Sequence, residues 1–154
     1  MVLEPLPPGI TGFSDPSKPL RAVDPKAFGA ACRLAANMEH GRVENLDLNP
    51  LARSYYAATV RTRTDYVSVL CNSVYPFLAF VPPNSLGFTE LAFVIPVNLA
   101  SLFARLTEFQ PLDADWLKTT PQPEMLTALA PVELKQLKYW RPRRTGDVIF
   151  NHWD

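Results

Sequence analysis

The chain has 154 residues, 47% of them hydrophobic and 19% charged, which is the size of one ordinary domain with enough apolar side chain to bury a core; a mostly disordered chain is excluded. Fifteen Lys plus Arg balance fifteen Asp plus Glu, so a whole-protein electrostatic grip on DNA, RNA or anionic lipid is not expected. Sixteen prolines against six glycines point to many extended connections and edges.

Residues 1–24 carry Pro5, Pro7, Pro8, Pro16 and Pro19 and read as an extended arm, with Phe13 and Leu20 as the side chains that could tack it down. Residues 25–154 read as a single domain. Asp24-Pro25 is a helix start, an acidic N-cap before a proline at the first helical position. Phe28, Ala31, Cys32 and Ala35 recur at helical spacing until Gly41 ends the run. Asn49-Pro50 repeats the start signal, and Leu51, Tyr55 and Ala58 fall on one helical face. Thr59–Thr64 alternates like a strand, so a helix giving way to extended chain near residue 60 is expected.

The β signal is cleaner from Tyr66. Tyr66–Cys71 and Tyr75–Val81 are rich in β-branched and aromatic residues, with Pro76 pushing the second toward a sheet edge. Pro82–Ser85 is a turn, and Phe88–Ile95 is a third apolar strand candidate. Leu99, Leu102, Phe103 and Leu106 form a helical stripe, followed by a polar patch with Asp113 and Asp115. Thr120-Pro121 opens a short helix with Met125, Leu126 and Leu129; Pro131 opens another, which Arg141-Pro142 breaks; Thr145 caps a last turn or two. The expected class is α+β: a small, central, mainly antiparallel sheet with helices N- and C-terminal to it.

No secretory signal is read in Met1–Pro8, which lacks a basic start and an unbroken apolar stretch. The most apolar region, Leu91–Ala104, is broken by Pro96 and Asn98 and is short of the roughly 20 residues a bilayer takes. Cys32 and Cys71 sit among apolar neighbours, as buried reduced cysteines do, so a cytoplasmic protein is expected.

The sequence carries no Walker loop, dinucleotide fingerprint, G-x-S-x-G elbow or H-E-x-x-H. Cys32, Cys71, His40 and His152 are too scattered for a structural zinc site, and no metal or cofactor is expected. Asp65, Cys71, Asp113 and His152 would be the groups of a small hydrolase or transferase, if the fold gathered them. Trp140-Arg141-Pro142-Arg143-Arg144 puts three arginines beside a ring, which suits phosphate oxygens and bases; the competing reading pairs these arginines with acids such as Asp147.

The closing stretch, Leu134 to Asp154, contains Tyr139-Trp140-Arg141-Pro142 and then Gly146-Asp147-Val148-Ile149-Phe150-Asn151, ending His152-Trp153-Asp154. It resembles the ending of small uncharacterised bacterial proteins that finish in a YWRP…GDVIFN.WD pattern, some of which look like immunity partners of polymorphic toxins. The resemblance covers about twenty residues and carries no catalytic role. It implies a non-catalytic protein-binding domain that neutralises a toxin or effector by direct binding, with no membrane partner. The anchors expected for such an interface are Trp116, Trp140, Arg141, Arg143, Arg144 and His152, because Trp and Arg dominate binding hot spots. Burial of the tail's rings would also make it a structural clasp.

Overall fold

The computed structural model describes residues 1–49, 51–86 and 90–153. Strands Arg42–Asp47 (β1), Tyr55–Arg61 (β2), Tyr66–Asn72 (β3) and Phe77–Val81 (β4) form an antiparallel meander, and the short Gln110–Pro111 strand (β5) adds in parallel to β4, giving the order β1-β2-β3-β4-β5. The β2–β3 register runs from Tyr55 opposite Asn72 to Arg61 opposite Tyr66. A bulge at Glu44 interrupts the β1–β2 pairing, and Glu44 bonds Arg42 and Arg61 there. A bulge and charges on an outer strand discourage further pairing.

Helix Pro25–Met38 (α1) starts where Asp24 accepts the Lys26 N–H at 3.0 Å. It packs with helix Val97–Leu106 (α2) over one sheet face, against Tyr56, Ala58, Val60, Val69, Cys71, Leu78 and Phe80. The opposite face carries Tyr55, Ala57, Leu70, Ala79 and Val81, covered by helices Ala114–Leu117 (α3) and Thr145–Ile149 (α5) and by the N-terminal arm. Helix Pro131–Trp140 (α4) leads into α5. The fold is therefore α+β, with a mostly antiparallel central sheet and helices on both sides of it in sequence.

The arm is part of the core. Leu6 and Ile10 are fully buried, whereas Phe13 and Leu20 are only half-buried. Its backbone is held by buried polar side chains: Gly9 N–H and Thr11 Oγ1 donate to the Glu133 carboxylate at 2.7 and 2.6 Å, and Asn72 Nδ2 donates to the Ile10 and Ile149 carbonyls at 2.8 and 2.9 Å. Asn151 Nδ2 donates to the Thr11 and Val148 carbonyls, while Ser54 Oγ accepts from Asn151 N–H and donates to the Ile149 carbonyl. Buried polar groups satisfied this completely pin three distant segments in one register.

Four expectations are corrected. Tyr55 and Ala58 lie in β2, not in a helix opened by Asn49-Pro50; both faces of β2 are buried, so its apolar positions follow no single period. Pro50 is outside the described residues. In the Phe88–Ile95 segment, where Phe88 and Thr89 are outside the described residues, Val94 alone among the described residues pairs, in a single bridge to Phe80, while Leu91 and Phe93 turn into the core. The Met125 segment is a 3₁₀ turn over Pro123–Leu126. Thr145 is the first residue of α5 rather than its cap, because its hydroxyl donates to the Thr119 carbonyl at 3.0 Å.

Candidate functional site

Helix α4 places its last turn and the corner behind it on the surface. Arg141 ends the helix in the left-handed region, φ 50 and ψ 61, with its N–H donated to the Leu137 carbonyl at 2.9 Å. The proline that follows restricts the chain there, and the corner returns it into α5. Tyr139 is 77% exposed and Trp140 is 39% exposed. Trp140 is nevertheless fixed: its indole N–H donates to Gln136 Oε1 at 3.1 Å, and its ring stacks on Trp153 with centroids 6.3 Å apart and planes 4° from parallel. Tyr139 meets the Trp140 ring edge-on at 5.2 Å. Arg141 and Arg143 are exposed beside these rings, and neither has an ion-pair partner among the described residues.

Arg144 is built into the fold. Its side chain is 13% exposed, forks onto both Asp147 oxygens at 2.7 and 3.1 Å, donates to the Leu91 carbonyl at 2.7 Å and lies over the Phe93 ring. Trp116 is buried in α3 within the apolar cluster, with its indole N–H unpartnered among the described residues. Of the six expected anchors, Trp140, Arg141 and Arg143 are exposed, whereas Trp116 and the Arg144 side chain are largely buried.

His152 is exposed as a residue, but the covered edge of its ring bonds Tyr55 through Nε2 at 2.8 Å, with the rings nearly perpendicular. Arg53 lies over the Tyr55 ring, donates to the Tyr55 carbonyl and pairs with Asp47 at 2.9 Å. Burial, and then the Arg53 charge, push the His152 pKa below its usual value, whereas burial raises that of Tyr55. Both groups are therefore neutral near pH 7, joined by this one hydrogen bond. An open depression of about 270 Å³ lies next to this pair, lined by Gly12, Phe13, Ala52, Arg53, Asn151 and Trp153 among others.

The remaining titratable candidates lie apart. Cys71 belongs to the sheet face under α1 and α2, whereas Tyr55, to which His152 bonds, belongs to the opposite face. Asp65 sits in the β2–β3 turn, and Asp113 and Asp115 are exposed around α3. Among the described residues no group of three or more His, Cys, Asp and Glu is gathered, and no helix is long and apolar enough to cross a membrane.

Tyr139 and Trp153 were legible in the sequence only as rings of the closing clasp. The signal for a face was the run from Leu134 to Gly146, which has five basic residues and no acid. No family model, curated protein or solved structure matches the chain.

Proposed function

We propose that this chain is a non-catalytic bacterial protein-binding domain of the immunity type, one that neutralises a cognate toxin by direct contact. The observation that carries the reading is the ridge of Tyr139 and Trp140, solvent-exposed yet locked by the Trp153 stack, with Arg141 and Arg143 beside it. Exposed large aromatics held in one conformation lose little entropy on docking, and Trp, Tyr and Arg are the side chains that dominate protein hot spots. The placement of Cys71 on the sheet face opposite Tyr55, to which His152 bonds, supports binding over Cys–His chemistry.

The test is co-purification of the tagged chain with the product of the adjacent gene, repeated with Trp140→Ala. The expected result is a stable complex that the substitution weakens by at least about tenfold, the size of a hot-spot truncation. A monodisperse chain with no stable partner from its own host would remove the reading.

A further inference from the structure

The acid-free run that ends in the aromatic ridge sets a charge pattern that the neutral total conceals. All fifteen acidic residues lie outside residues 134–146, and five of the fifteen basic ones lie inside, so the remainder of the chain carries a formal charge of −5. Within the run Arg144 is spent on Asp147, while Lys135, Lys138, Arg141 and Arg143 are exposed and unpaired among the described residues. An exposed stretch of four cations with no acid in it, running into the Trp140–Trp153 stack, thus belongs to a chain whose other residues are net acidic.

We infer that the partner engages this corner with a carboxylate-rich protein surface; the inference rests on the proposed protein-binding function and adds the chemistry of the occupant. Charge complementarity carries it. Opposite charges across an interface steer encounter and fix register, and at 0.15 M salt the field of four surface cations reaches about 8 Å, the span of a local acidic patch. A long polyanion fits poorly. Nucleic-acid affinity comes from many phosphate contacts along an extended basic track, and here the four cations lie within residues 135–143. The rings point the same way. The two indoles lie parallel and offset, and Tyr139 meets the Trp140 ring edge-on, which makes a ridge of ring edges for aliphatic and carboxylate side chains instead of a single open platform for bases.

The test is a heteronuclear NMR titration of the intact chain with a poly-glutamate peptide, a poly-lysine peptide and a fifteen-nucleotide poly-dT strand. Poly-glutamate is expected to move the amides of residues 135–143 and the indole signals of Trp140 and Trp153, while that of buried Trp116 stays still. Raising the salt should reverse the shifts. The variant K135E/K138E/R143E keeps Arg141 at its left-handed position, so its fold should persist, and it should bind poly-glutamate about tenfold more weakly, since three attractive charges become repulsive. No shift in 135–143 with poly-glutamate, equal or tighter binding of poly-dT at those residues, or self-association of the chain through this corner would overturn the inference. If the adjacent-gene product co-purifies equally with wild type and with K135E/K138E/R143E, the acidic partner is wrong while the protein-binding function stands. If nothing co-purifies, both fall.

Discussion

The Thr11 hydroxyl donates to the Glu133 carboxylate at 2.6 Å across 122 residues of sequence. The same carboxylate accepts Gly9 N–H and Thr11 N–H from the arm and Ala130 N–H at the start of its own helix, and Glu133 is fully buried. One side chain therefore caps α4 and anchors the arm, which couples the position of that helix to residues at the other end of the chain.

Glu133→Ala leaves these buried donors without an acceptor. Each unsatisfied buried group costs about 1–3 kcal/mol, so the variant is expected to lose about 3 kcal/mol or more in urea unfolding. Limited proteolysis should then cut first within residues 1–24. An arm that stays protected would show that Leu6 and Ile10 alone hold it.

His152 gives the tail a pH dependence. Its pKa in the fold lies below the ordinary 6.5, by burial and the Arg53 charge, so the unfolded chain binds more protons in that window. Stability contributed by this group is expected to fall as pH drops below about 6.5 and to level off once pH is under the folded pKa. Thermal unfolding of wild type and His152→Gln between pH 5 and 8 checks this; the difference between them should change with pH only on the acidic side.

Cys32 and Cys71 are both fully buried free thiols whose pKa values burial drives upward, keeping them protonated. The thiolate is the reactive form, so neither should label with a thiol reagent at pH 8 in the native state, and both should label in denaturant. Fast native labelling of either would place it in a different environment.

Gly146 lies where α5 meets the core. A Cβ there would collide with the Phe93 ring, which itself carries the Arg144 guanidinium. Gly146→Ala is expected to cost about 1–3 kcal/mol through overpacking, read as a lower denaturation midpoint with an unchanged slope.

Trp116→Phe removes a buried N–H that has no partner among the described residues while retaining most of the ring. The lost packing and the removed desolvation cost oppose each other, so stability should shift by less than about 1 kcal/mol. A loss of several kcal/mol would mean that the indole N–H is bonded in solution.

The amino-acid sequence by itself determined α1, α2 and α4, the β3 and β4 strands and the α+β class, because those segments pair a clear period with a local start or stop signal. Asp24-Pro25, Pro131 and Arg141-Pro142 are examples, and each acts within a turn of its own position. β1 was not read at all, since its charged residues pattern like a loop and only pairing with β2 makes it a strand. The site divides in the same way. Trp140, Arg141 and Arg143, expected as anchors by residue type, are exposed, but Trp116 and Arg144 are of the same types and are largely buried. Burial is settled by which distant segments meet, as Arg144 meets Leu91 and Glu133 meets Thr11, and no local pattern encodes a contact between residues so far apart in the chain.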